Sequence, residues 1–392
     1  MKKKVGICAC YTNHNYGSML QSFATQKVFE SEGFECEMIR YKKKKTPIFL
    51  VKQIPRLFNR ITISDKKLVI SKKINFALHS KAKRENDIRE KAFDRFQKKY
   101  FTKLSPIYYG YDVLKKEAVN YVGVISGSDQ VWSPSALATH FYDLTFVPDN
   151  IVKASYASSF GVKKIPSYQI RRTKYYLKRL QFVSVREKSG RKIIKDLIDR
   201  DAPVVCDPTF LLTNEKWAEY IPETRLINEP YIFAYFLGPS SEHREAVKEF
   251  SKKSGIKIVT IHHMDQYVKA DEKFGDIVMS DVGPEEFVNL IRGASYVCTD
   301  SFHGTIFSIL HNKLFITFNR YNDKAKDSKN SRIDSICEIL GLTSRRYHND
   351  LLNEIQKPID YAEVEKKATD FRMNSLAYIH LVSDAIRNGQ ND

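Results

Sequence analysis

Blocks of apolar residues alternate with polar loops along the chain, and they recur in the order strand, loop, helix, strand. Residues 4–11 make an apolar run that ends at the polar loop 13–18, the pattern of a buried strand. Leu20, Phe23, Ala24 and Val28 then recur at helical spacing. This predicts a helix over 19–31, ended by Gly33, and a second strand over 34–41. The rhythm resumes beyond residue 100, with strands expected at 121–126, 152–156, 182–185 and 203–206 and a helix over 186–197. In a second series, strands fall at 231–237, 257–261, 296–299 and 314–318, separated by helices at 242–254, 284–293 and 303–311. Residues 361–387 read as largely helical, with a return onto the first half expected. Such repetition builds parallel sheets with helices on both faces. Two series imply an α/β protein of two Rossmann-like domains with a cleft between them, residues 1–225 and 226–392. Ligand sites in open parallel sheets lie at the carboxyl ends of the strands, so the loops there are where chemistry is expected.

The stretch 42–103 breaks this rhythm. It carries 20 Lys and Arg against 5 Asp and Glu, a local charge of +15 within a chain total of +18. Ile48, Phe49, Leu50, Val51, Leu57 and Phe58 are interleaved with those cations, and residues 75–100 read as a polar helix. Cations mixed with apolar side chains are expected to meet an anionic membrane surface; the competing reading is a solvated basic face. No apolar run approaches the roughly 18 residues of a spanning helix. The N-terminal run stops too soon for a secretory leader, so a cytoplasmic protein, peripheral on the inner membrane face, is expected. Cys8, Cys10, Cys36, Cys206, Cys298 and Cys337 show no CxxC spacing. They read as reduced thiols, and no metal ligand set is visible.

Three kinds of segment follow strands and carry chemistry-bearing residues. In Thr299-Asp300-Ser301-Phe302-His303-Gly304-Thr305 an apolar strand runs into polar residues and opens a helix. Free amides at the start of that helix favour an anion, and His303 can donate to it or move a proton. An ordinary capped helix, with Asp300 or Ser301 as the cap, explains the same pattern. Arg186 also follows a strand, where a guanidinium can grip a carboxylate or phosphate or simply pair at the surface. Asn15-Tyr16-Gly17-Ser18 and Gly127-Ser128-Asp129-Gln130-Val131-Trp132 mix glycine, hydrogen-bonding groups and an aromatic, which suits a sugar or a packed turn. Neither is a dinucleotide or P-loop fingerprint.

Together with Ser155-Tyr156-Ala157-Ser158-Ser159-Phe160-Gly161, Ser184-Val185-Arg186-Glu187 and Asp207-Pro208-Thr209, these segments occur in order over residues 5–320. As a set they resemble the polysaccharide pyruvyltransferase family. The resemblance implies a GT-B-like fold, phosphoenolpyruvate as donor and a sugar or lipid-linked glycan as acceptor, with no cofactor and no metal. It implies a donor site of Arg186, Ser301, His303, Gly304 and Thr305, and an acceptor site of Asn15, Tyr16, Gly17, Ser128, Asp129 and Trp132. His303 is then the expected proton donor, Asp129 the base or acceptor ligand, and Asp300 the residue that orients His303. The chain departs from the family in two places. Ser301 stands where many members have arginine, and Ser18 where many have an acid. Arg332, Arg320 or a lysine of the basic stretch are the expected replacements for the missing cation. Two other readings remain open from sequence: a GT-B glycosyltransferase using a nucleotide sugar, and a non-catalytic basic protein binding membrane or nucleic acid. No RNA-binding signature supports nucleic acid.

Overall fold

The computed structural model describes residues 2–44, 78–134, 140–263, 267–320 and 331–389. Most of the basic, apolar-interleaved stretch expected to meet a membrane, including Phe49 and Phe58, lies outside these residues. Two five-stranded sheets organise the chain, and every strand pairing is parallel.

The first sheet holds β1 (Lys4–Cys8), β2 (Glu35–Lys42), β3 (Leu104–Tyr109), β4 (Gly123–Ser126) and β5 (Val152–Ser155), in the order β3-β2-β1-β4-β5. Its helices are α1 (Tyr16–Ser31), α2 (Ser80–Tyr100), α3 (Tyr111–Glu117), α4 (Ser167–Arg179), α5 (Lys188–Ile198), α6 (Pro208–Leu211) and α7 (Asn214–Tyr220). The second sheet holds β6 (Tyr231–Tyr235), β7 (Lys257–Thr260), β8 (Ile277–Val278), β9 (Tyr296–Thr299) and β10 (Leu314–Thr317), in the order β10-β9-β6-β7-β8. Around it lie α8 (Ser241–Ser254), α9 (Pro284–Gly293), α10 (Phe302–Leu310), α11 (Ser331–Ile339), α12 (Leu351–Ile355) and α13 (Tyr361–Asn388).

Two expected strands are not formed as such. Residues 182–185 and 203–206 make only isolated bridges, Ala154 to Phe182, Ser158 to Val185 and Val185 to Val204. They extend the first sheet past β5 without a continuous ladder, and Pro203 lacks the amide a ladder would need. The edge strand β3, by contrast, lacks an apolar-run signature because Ser105 and Pro106 interrupt it; proline is tolerated at a sheet edge.

The domains are not loosely hinged. Tyr16, at the start of α1, stacks on Phe287 of α9 at 4.5 Å and 6° and donates its hydroxyl to the Val282 carbonyl at 2.9 Å. Polar helix α2 straps the same junction: Arg89 donates to the His262 carbonyl at 2.8 Å, and Lys99 pairs with Glu285 at 2.7 Å. The last helix, α13, returns to the first sheet. There Tyr378 donates to the Ser155 carbonyl at 2.8 Å and Ser375 accepts from the Cys206 amide at 2.9 Å. Gly123 of β4 lets the helix approach closely, since a methyl there would lie 2.8 Å from Ile386. Among the described residues no helix is long and apolar enough to cross a membrane.

Candidate functional site

Both sheets reverse their strand order at a point that faces the other domain. In the first sheet the order turns between β1 and β4; in the second it turns between β6 and β9. The carboxyl ends of strands at such a point leave a crevice. The two crevices meet in one cavity of about 410 Å³. Cys10, Asn13, Asn15, Gly17 and Ser18 line it from the loop and helix after β1, and Asp129 and Gln130 from the loop after β4. Tyr235 and Leu237 come from the end of β6, Asp300, Ser301, Phe302 and His303 from the end of β9, and Arg320, Arg332 and Ile333 from further along the second domain.

Two helices open onto this space. Asn15 caps α1 by accepting from the Ser18 amide at 3.1 Å, and Ser301 caps α10 by accepting from the Gly304 amide at 3.2 Å. The remaining first-turn amides have no carbonyl of their own helix to bond. With the helix dipoles they make the cavity favourable for an anion. Gly17 is required where α1 meets α10, because a methyl there would overlap the His303 imidazole.

A buried chain of charges runs behind the wall. Arg186 donates through Nη1 to Asp207 Oδ2 at 2.6 Å, and His303 Nε2 lies 3.6 Å from the same oxygen. Asp207 thus joins two residues 117 positions apart. Its place is set locally: it caps α6, with Pro208 at the first helical position, and Thr209 donates to its other oxygen at 2.7 Å. Burial works against ionising Asp207, but His303 and Arg186 prevail and hold its carboxyl far below the ordinary range. Asp129 lies 3.8 Å from Arg186 and accepts the Ser18 hydroxyl at 2.6 Å. Burial opposes its charge too, yet Arg186 and Ser18 keep its carboxyl below the usual value.

The expected site residues fall into two groups. His303, Asp300, Ser301, Asn15, Gly17 and Asp129 line the cavity. The others stand behind it. Trp132 is fully buried in the first domain, packed against Phe160 and Tyr176 at 5.2 and 5.5 Å, so it offers no ring face to a sugar. Tyr16 is spent on the domain junction. The Ser128 hydroxyl lies within hydrogen-bond distance of the Ala157 carbonyl and of Asp207, and Thr305 donates to the Ser301 carbonyl. Gly304 is buried in the first turn of α10.

Asp300 does not orient His303. Its two oxygens accept from the amides of Leu237 and Gly238 at 2.6 and 2.7 Å, locking β9 to β6, while burial pushes its carboxyl up. The carboxylate beside His303 is Asp207, whose sequence signal is an aspartate before a helix-opening proline at the end of a short apolar run.

The family model described as polysaccharide pyruvyl transferase matches residues 15–322 of the chain. No curated protein matches. Among solved structures, a protein described as a UDP-N-acetylglucosamine 2-epimerase from Listeria monocytogenes is similar over 99% of this chain and 96% of its own. It shows 11% identity and a TM-score of 0.50. The S. aureus MnaA–UDP co-structure aligns over 98% of this chain and 91% of its own, at 10% identity and TM-score 0.48. The glycosyltransferase SnogD from Streptomyces nogalater aligns over 98% and 100%, at 10% and 0.44. The GT-B-like pairing of two parallel α/β domains expected from the sequence is the fold observed.

Proposed function

The chain belongs to the polysaccharide pyruvyl transferase family, a family of transferase enzymes, and from that premise we propose that it moves a pyruvyl group from phosphoenolpyruvate to a sugar of a cell-surface glycan or its lipid-linked precursor. The observation that carries the reading is the meeting of His303, Asp129 and two helix amino ends in one cavity between the domains.

Ketal formation adds a proton to the donor's methylene carbon, forms two carbon–oxygen bonds from sugar hydroxyls, and breaks the bond to phosphate. One hydroxyl proton ends on carbon and the other leaves with phosphate. His303, held by Asp207, is the proposed acid. Its Nε2 lies 3.6 Å from that carboxylate, at the cavity wall. Asp129 stays ionised and is placed, with Ser18 and Asn15, to accept hydrogen bonds from the acceptor's hydroxyls. Burying the reacting groups between two domains excludes the water that would otherwise hydrolyse an activated donor. The basic stretch 42–103 is proposed to hold the enzyme at the inner membrane face, where a lipid-linked acceptor lies.

The test is a donor panel on the full chain with candidate sugars. Phosphate release from phosphoenolpyruvate, together with a ketal methyl signal in the product, supports the reading; release of a nucleoside diphosphate from a UDP- or ADP-sugar instead would replace it with glycosyl transfer. His303→Ala should lower turnover by roughly 10² to 10⁴ if the residue transfers the proton.

A further inference from the structure

We infer that Arg332, supplying charge from α11 beside Ser301, is the cation of a phosphate subsite on the second-domain wall of the cavity, acting with His303 and the amino end of α10. The inference rests on the reading above and deepens it by assigning the donor's phosphate to particular residues.

Arg186 has its charge answered within the protein. Asp207 takes Nη1 at 2.6 Å, Asp129 stands 3.8 Å from Nη2, and buried Glu187 is its neighbour in sequence. Its side chain is 2% exposed and does not line the cavity. It packs over one ring, Phe302, at 4.7 Å.

Arg332 differs in lining the cavity and in its charge pairing. It projects from α11 onto the cavity wall, with its guanidinium 5.7 Å from the centre of the same Phe302 ring. Among the described residues no carboxylate lies within ion-pair distance of it, and its buried Nε has no hydrogen-bond partner. Burial, with repulsion from nearby Arg186, pushes its pKa down to about 10. A guanidinium held near other cations without its own counter-ion is costly to the empty protein, and an anion bound there relieves that cost.

The donors around it suit an anion with several oxygens. His303 lines the same wall on a side chain 9% exposed, with its Nε2 3.6 Å from Asp207. The Ser301 hydroxyl accepts from the Gly304 amide, so its own hydrogen is available to a ligand. Phe302 and His303 open α10 with first-turn amides beyond the reach of its own carbonyls. A guanidinium, an imidazole, a hydroxyl and helix amides converging on one volume match a tetrahedral phosphate better than a planar carboxylate. Arg332 supplies charge beside Ser301 and Phe302 from a different helix.

The experiment titrates the full chain with inorganic phosphate and, separately, with phosphoenolpyruvate by calorimetry, and records the thermal midpoint without ligand. Arg332→Gln should weaken both ligands at least tenfold while leaving the unliganded midpoint equal or higher. Arg332→Lys should fall between, and Ser301→Arg added to Arg332→Gln should restore part of the affinity. Arg186→Gln should instead lower the unliganded midpoint, because Asp207 loses its partner. Wild-type affinity in Arg332→Gln overturns the assignment, as does a fall in its unliganded midpoint matching that of Arg186→Gln. If the wild type binds phosphate through Arg332 but ignores phosphoenolpyruvate, the subsite stands and the pyruvyl-donor reading falls. If it binds neither, both fall.

Discussion

Asp207 shows how one side chain ties stability to acidity. Its carboxyl and that of Asp129 titrate below their unfolded values. A depressed folded pKa contributes stability above the unfolded pKa, about 4 for aspartate, and that contribution is lost as pH falls through the folded value. Wild-type stability should therefore decline below about pH 4. Asp207→Asn should flatten that acid limb and, by leaving Arg186 buried without its partner, cost about 3–5 kcal/mol at neutral pH. Denaturant unfolding at several pH values reads both effects; an unchanged acid limb would show that Asp207 is not ionised against Arg186 in the fold. Gly17→Ala tests the neighbouring close approach. The variant should fold, yet lose activity on the scale of His303→Ala, because the imidazole must vacate its position. The site was legible in part at this scale. A histidine and small polar groups at the carboxyl end of an apolar strand announce a helix start that can take an anion, so His303 and Ser301 could be read. The pairing of Arg186 with Asp207 could not, since nothing local to either residue reports a contact made through tertiary folding. Trp132 misled because an aromatic after a strand reads alike whether it faces a ligand or the core.

Among the elements, long apolar runs such as β6 and β9 identify themselves because burial on both faces of a parallel sheet leaves few polar positions. Short pairings do not. The bridges at Val185 and Val204 depend on where their neighbours lie, and β3 hides behind Pro106. Helix α13 falls where the sequence reads as largely helical, and its docking is testable. Gly123 and Ile386 share one tight contact between β4 and α13. Gly123→Ala should destabilise by about 1–3 kcal/mol through overpacking, and Ile386→Val in the same chain should recover part of that loss. Additive effects of the two changes in a double-mutant cycle would mean that the helix does not rest on that strand.

At the scale of the whole molecule, the aromatic junction packs the two sheets against each other, and they should unfold together. Tyr16 is 1% exposed, stacks on Phe287 and bonds to Val282. Tyr16→Ala should cost about 3–5 kcal/mol, the range for emptying an aromatic site in a core. It should also split a single calorimetric transition into two. A single sharp transition in this variant would place the coupling elsewhere, in α2 or α13. The basic stretch makes its own prediction. The protein should float with anionic vesicles at low salt, less so at high salt, and not with neutral vesicles. Equal recovery in both vesicle types, or no change after neutralising Lys42 to Lys45 and replacing Phe49, would remove the membrane role.

The return of α13 to β4 and β5 also sets an order of events during synthesis. Residues that complete the first domain, Ser375, Tyr378 and Ile386, are made only after every strand of the second. The ribosome adds roughly 5–20 residues per second, so the first sheet waits many seconds with its α13-facing surface, including Gly123 and Ser155, uncovered. A nascent chain stalled before residue 361 should therefore expose that face to chaperones and to proteases, and adding the last helix in trans as a peptide should protect it.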